Sequence, residues 1–308
     1  MNILHLKYAV EVAKAGSLSK AAEALYMNQP NLSRAIKELE ASLGITIFGR
    51  SAKGVYVTPE GEEFLGYARK ILSQIDEVEA IYKSGAPVRQ RFSISVPRAS
   101  YISAAFAQFS KHLTETDRCE VYYKETNNMR AITNILEKDY KLGIVRYASV
   151  YDKQFRDMAE SKNLNYEMIA EFGYVLLMNK NCPLAKKDDV TFADLEGYIQ
   201  IAHADPYVPS VSLSEIKKEE LPDDVDRRIF VFERASQFDV LAENENAYIW
   251  VSPVPDDILE RYGLTTKKCA DNTKVYKDVL IYKKDYTLTK TDKAFITELN
   301  DAKRKYLK

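Results

Sequence analysis

One short interruption near the start of the chain limits its fold more than any other feature. Leu18 to Leu25 reads as a short helix, Tyr26-Met27-Asn28 as a break, and Gln29 to about Leu43 as a second helix. Asn28 is a good N-cap residue, and Pro30 falls in the first turn, where the backbone N–H needs no helical partner. Upstream, Leu6, Val10 and Ala13 recur at helical spacing; Gly16 then offers a left-handed stop and Ser17 a fresh cap. The short helix is rich in alanine, which lets a neighbour approach closely. Leu32, Ile36, Leu39 and Leu43 supply the buried stripe of the longer one, and Gly44 closes it. Two helices joined by a three-residue turn, the second capped at its start, describe a helix-turn-helix.

That stripe leaves Gln29, Asn31, Ser33, Arg34 and Lys37 facing outward. Amides suit adenine edges and a guanidinium suits guanine, while hydroxyl and ammonium groups suit phosphates. The helix N-terminus adds unpaired N–H groups. From Thr46 to Thr58, alternating apolar residues flank a basic, Gly-containing turn, the pattern of a small hairpin or wing bringing Arg50 and Lys53 to a phosphate or the minor groove. Residues 1–58 hold seven Lys or Arg against four Glu, whereas the whole chain carries a net charge of −1. The basic excess is therefore local, as a contact domain requires, although a solvated helical bundle could show the same balance.

Five blocks occur in order at fixed distances: Ala15-Gly16-Ser17-Leu18-Ser19-Lys20-Ala21-Ala22, Gln29-Pro30-Asn31-Leu32-Ser33-Arg34-Ala35-Ile36, Leu39-Glu40-Ala41-Ser42-Leu43-Gly44, Phe48-Gly49-Arg50 and Thr58-Pro59-Glu60-Gly61. Together they resemble the N-terminal signature of LysR-type transcriptional regulators over about 60 residues. The resemblance implies a sequence-specific, DNA-binding regulator answering to a small molecule. In that family, residues matching Gln29, Pro30, Ser33 and Arg34 lie on the DNA, and a wing cation like Lys53 lies in or near the minor groove.

Thr58, Pro59, Glu60 and Glu62 form a strong helix start. Phe64, Ala68, Ile71, Ile75, Val78 and Tyr82 then follow at heptad spacing up to Lys83. Such a seam pairs most simply with the same helix of a second chain, although it could pack on its own domain. The resemblance implies a homodimer, and often a homotetramer, on double-stranded DNA with a dyad-like operator, contacting RNA polymerase. Ser84-Gly85-Ala86-Pro87 reads as a hinge.

From Arg89 onward, strand and helix patterns alternate, which indicates an α/β sheet, largely parallel. A second set begins near Tyr166, and the strand Val279 to Tyr282 with the helix Lys290 to Tyr306 returns to the first. The expected architecture is an N-terminal winged helix-turn-helix (1–58), a linker helix and hinge (59–88), and an α/β two-lobed effector domain (89–308). Lobe I takes 89–161 and 268–308, lobe II 162–267. The two lobes resemble periplasmic-binding-protein-like effector domains. Cys182-Pro183-Leu184-Ala185 and Lys141-Leu142-Gly143-Ile144 resemble family turns and strands, with Cys for His and Lys for Asp.

In such a fold small ligands sit in a cleft at strand C-termini and helix N-termini. Ser100, Tyr101, Ser103, Thr126, Asn128 and His203 fall there, and helix starts of this kind can hold an anionic effector. Ser100 and Asn128 serve equally well as plain N-caps. Tyr248 and Trp250 could wall the cleft or lie in the core.

An enzyme is the main alternative, but no Gly-x-Ser-x-Gly elbow or phosphate-binding Gly-x-x-x-x-Gly-Lys-Ser/Thr loop occurs, and the three histidines lie far apart. No metal or cofactor is expected. A substrate-binding protein would need export or an anchor. No run of about 18 apolar residues exists, the N-terminus is no secretory signal, and three separated cysteines suit a reducing compartment, so a cytoplasmic protein is expected.

Overall fold

The structure is a computed structural model that describes residues 2–51, 54–83, 90–115, 119–221 and 225–307. It divides into two compact units, residues 1–88 and 89–308.

The first unit contains α1 (Ile3–Ala15), α2 (Leu18–Ala24), α3 (Gln29–Leu43), β1 (Phe48–Ser51), β2 (Gly54–Val57) and α4 (Pro59–Lys83). The starts of α2 and α3 are capped by the residues the pattern selected. The Oγ of Ser17 accepts from the Lys20 N–H at 3.5 Å, and the Oδ1 of Asn28 from the Asn31 N–H at 3.1 Å. Tyr26, at φ +52°, turns the chain out of α2. On α1 the buried residues are Leu6, Ala9 and Val12; the expected Val10 and Ala13 sit at the margin of that face. The helix is enclosed by α2, α3 and α4, so its buried sector is wide. On α3, Leu32, Ile36 and Leu39 are buried as expected and Leu43 is half-buried. The wing pairs antiparallel from Phe48↔Val57 to Ser51↔Gly54. Glu40 ties it to α3, its Oε1 accepting from the N–H groups of Ile47 (2.7 Å) and Phe48 (3.0 Å).

The linker helix α4 packs on this unit with Leu65, Ala68 and Leu72. Gly61 is required at its start: a Cβ there would run into the carbonyl oxygen of Ile47. The expected seam needs one correction. Ala68 faces the core of its own unit, whereas Phe64, Ile71 and Ile75 are only half-buried and Val78 is 53% exposed. Tyr67, also exposed, extends this outward stripe. Tyr82's side chain and the hinge residues Ser84 to Pro87 lie outside the described residues.

The second unit contains two five-stranded sheets. In chain order its first elements are β3 (Gln90–Val96), α5 (Ser100–Phe109), β4 (Cys119–Glu125), α6 (Asn128–Glu137), β5 (Leu142–Ala148), α7 (Asp152–Ser161) and β6 (Leu164–Gly173). Next come β7 (Val175–Asn179), β8 (Ile199–Ala202), α8 (Leu213–Glu220), β9 (Arg228–Phe230), α9 (Arg234–Glu243), β10 (Ala247–Val251), α10 (Asp256–Tyr262) and β11 (Leu264–Lys267). Finally, β12 (Val275–Lys283) and α11 (Lys290–Tyr306) return to the first sheet.

The first sheet has the order β4-β3-β5-β12-β6 and the second β11-β7-β10-β8-β9. Both are half parallel and half antiparallel, not largely parallel: β12 and β7 each run against both neighbours. Strand β5 is apolar almost throughout because both of its faces are covered. Leu142 and Ile144 join the core beneath α5 and α11, while Val145 and Tyr147 join the one beneath α6 and α7. The expected lobe boundary at 162 also moves. Residues 164–173 form β6, which pairs with β12 in the first sheet, so the chain crosses to the second sheet only after Gly173. The returning strand has two open edges, and β6 covers the one that β5 leaves. Among the described residues, no helix is long and apolar enough to cross a membrane.

Candidate nucleic-acid interface and ligand cleft

At the start of α3, Gln29, Pro30, Asn31, Arg34 and Lys37 are exposed and Ser33 is half-buried. The first turn holds no acidic residue, and neither Arg34 nor Lys37 makes an ion pair among the described residues. The face is thus a set of outward donors on a helix whose other side is fixed by Leu32, Ile36 and Leu39. Arg50 lies on β1 with its side chain outside the described residues, and Lys53 lies outside them altogether.

In the second unit a cavity of about 1040 Å³ opens between the two sheets. It lies where β3, β4, β5 and β8 end, the place at which α/β sheets gather ligands. Of the expected residues, Thr126, Asn128 and His203 line it, as do Tyr248 and Trp250. Ser100, Tyr101 and Ser103 do not, which corrects the expectation for α5. Ser100 and Tyr101 are buried, and the Tyr101 hydroxyl donates to Asp278 Oδ2 at 2.5 Å. Ser103 accepts from Arg234 Nη2 at 2.8 Å, a bond between the lobes. The outward turn of α5 is therefore spent on the core and on inter-lobe contacts.

Asn128 and His203 reach the cavity but are already engaged. The Asn128 amide donates to the carbonyls of Arg146 and Tyr207, and its Oδ1 accepts from the Arg146 N–H. The Nδ1 of His203 contacts the Val231 carbonyl at 2.8 Å. Burial, followed by the charge of Arg98, pushes this imidazole below its ordinary pKa.

The strongest groups on the cavity wall were not foreseen. Arg146 and Asp278 are directly opposite in the β5–β12 register, next to the point where β6 bulges, with Ile169 as its extra residue opposite β12. Arg146 donates from Nε (2.7 Å) and Nη2 (2.6 Å) to the two oxygens of Asp278, and from Nη1 (3.2 Å) to Ser252 of the other lobe. Its guanidinium lies over Phe172, 4.8 Å from the ring centroid. Burial would lower the pKa of Arg146, but the adjacent carboxylate more than offsets this and raises it. Arg98 grips the opposite lobe with bonds of 3.1 and 3.3 Å to Asp205 and 2.6 Å to the Phe232 carbonyl. Arg234 does the same toward Glu125. A charged residue inside an otherwise apolar strand, as in Ile144-Val145-Arg146, was the available signal for the first of these; nothing local marks Asp278 as its partner. Among the described residues, no group of His, Cys, Asp and Glu is arranged to hold a metal.

Comparison with known proteins places the first unit. Residues 3–62 match the family described as bacterial regulatory helix-turn-helix protein, lysR family. The uncharacterized HTH-type transcriptional regulator YcgK of Bacillus subtilis is 40% identical over 98 residues, a stretch covering 32% of this chain and only 30% of that relative. The transcriptional regulator AlsR of the same organism is 24% identical over 292 residues, covering 92% of this chain and 91% of AlsR. The full-length LysG structure from Corynebacterium glutamicum, with bound effector Arg, covers 100% of both chains at 14% identity with a TM-score of 0.56, and so shares the fold. Residues 3–62 thus carry the helix-turn-helix of the bacterial lysR regulatory family, and the whole length of the chain is similar in fold to the full-length LysG structure.

Proposed function

We propose that this chain is a sequence-specific DNA-binding transcription regulator whose activity is set by a small molecule in the cleft of residues 89–308. One observation carries the DNA half: the start of α3 presents Gln29, Asn31, Arg34 and Lys37 to solvent with no carboxylate in its first turn. Gln29, Asn31 and Arg34 are the base readers, with Pro30 seated on the duplex. Ser33 and Lys37 hold phosphates, and Arg50 and Lys53 of the wing lie at the backbone or minor groove. The stripe Phe64, Tyr67, Ile71, Ile75 and Val78 supports pairing of two chains through α4, and hence a dyad-like operator. The resemblance to the lysR family supports assembly to a tetramer, contact with RNA polymerase and action in the cytoplasm. The strongest polar groups of the cleft are tied in pairs, Arg146 to Asp278 within one lobe and Arg98 to Asp205 across the two, which favours a binding role over an enzymatic one.

Regulation then has a physical route. Arg98–Asp205, Arg234–Glu125 and Arg146–Ser252 tie one lobe to the other around the cavity. A ligand that reorders these contacts changes the lobe packing, and with it the separation of two paired reading heads. The test is selection of bound fragments from random DNA by the full-length protein. A symmetric, recurrent motif is the expected result; recovery of unselected DNA would refute the sequence-reading role.

A further inference from the structure

Taking the cleft as the effector site, we infer that it holds an organic cation, an amine or guanidinium on an apolar body, rather than the anion that helix starts in such a cleft would suggest. The buried groups that would bind an anion are used up. Arg146 gives its fork to Asp278 and its third direction to Ser252, and Arg98 gives its own to Asp205 and the Phe232 carbonyl. At the start of α6, Asn127 already caps the helix, accepting from the Arg130 N–H at 2.9 Å. At the start of α5, Ser100 is buried and does not line the cavity.

What remains on the wall has the opposite sign. Glu196, Glu219, Glu220, Asp226 and Asp271 line the cavity, against Arg227 and Lys274. Lys274 and Glu219 pair at 3.7 Å and cancel, which leaves Glu196, Glu220, Asp226 and Asp271 against Arg227. The surrounding rings suit a cation as well. Tyr174 and Tyr276 stack at 3.8 Å, and the Tyr276 hydroxyl donates to Glu220 Oε2 at 3.0 Å, which places a carboxylate at the end of the stacked pair. Trp250 stands edge-on to Phe192 and Tyr248, leaving an indole on the wall. Aromatic faces attract ammonium and guanidinium groups, tryptophan most strongly. A carboxylate ligand would meet these rings and four like charges, with Arg227 the lining guanidinium that no carboxylate holds among the described residues.

Trp250 is the only tryptophan in the chain, so its emission reports on this cavity directly. The experiment titrates the full-length protein with matched pairs, phenethylamine against 3-phenylpropanoate and putrescine against succinate, following Trp250 fluorescence and thermal midpoint. The amines are expected to move both signals and to bind at least about tenfold more tightly than their carboxylate twins. The exposed Glu196→Gln and Asp226→Asn changes should each weaken amine binding by about two- to fivefold, the range of an exposed charge contact. Tighter binding of the carboxylates would overturn the inference while leaving the cleft as the effector site. If neither series moved Trp250 emission or operator affinity, the inference and the effector role of the cleft would fall together.

Discussion

The Arg146–Asp278 pair offers the sharpest energetic test. Asp278 is completely buried and the Arg146 side chain is 8% exposed. Replacing Asp278 with Asn keeps the shape but removes the charge that receives Nε and Nη2 of Arg146 and the Tyr101 hydroxyl. The guanidinium is then left in a site built from β5, β12 and the Phe172 ring without its counter-charge. Breaking a buried pair in this way costs about 3–5 kcal/mol, whereas replacing both partners by apolar residues of similar size is often neutral or better. Asp278→Asn should therefore destabilise the second unit by about 3–5 kcal/mol, and Arg146→Met with Asp278→Leu by much less. Urea unfolding followed through Trp250 reads that unit selectively, because the only tryptophan lies within it. A cost below about 1 kcal/mol for the single change, or a double variant as weak as the single one, would show that the pair is solvated and that the geometry argued above is wrong.

Three further outcomes follow. Arg34→Ala should weaken operator binding by about 1–3 kcal/mol and relax one position of the motif; an unchanged sequence preference assigns Arg34 to a phosphate instead. Val78→Glu, at an exposed position of α4, should shift the protein toward monomer in sedimentation velocity without lowering the stability of the first unit, and an unchanged dimer would move the interface elsewhere. His203 has its pKa depressed by burial and by Arg98, so its contribution to stability is intact above the ordinary imidazole pKa of about 6.5. That contribution is lost as the pH falls toward the folded value. Unfolding between pH 7.5 and 5.5 should show the decline, and His203→Gln should flatten it; equal slopes in the two proteins would count against the assignment.

The first unit was legible because its signals are local. Caps, turn residues and a helical stripe act within a few positions, and Ser17, Asn28, Leu32 and Gly44 each do what their residue type permits. The helix α4 was legible in period but not in face. A heptad pattern fixes which residues share a side, but Ala68 could be assigned to its own unit only once the wing and α1 were in place. In the cleft, the loops were found and most of the chemistry was missed. Asp278 meets Arg146 from 132 positions away, and Arg98 meets Asp205 from 107, distances at which no periodicity operates. The mixed strand directions were hidden for the same reason, since β6 and β12 find each other only in three dimensions.

The wedging of β12 between β5 and β6 has a temporal consequence. During synthesis the ribosome releases the DNA-reading head long before residues 275–283 exist, so the head can fold first and alone. The first sheet must wait with β5 and β6 unjoined until that late strand arrives to zip them together. A nonsense codon between the linker and β12 therefore yields a fragment with a finished helix-turn-helix and an unfinished sheet, which under the proposed function keeps the DNA reader and loses the signal-receiving cleft.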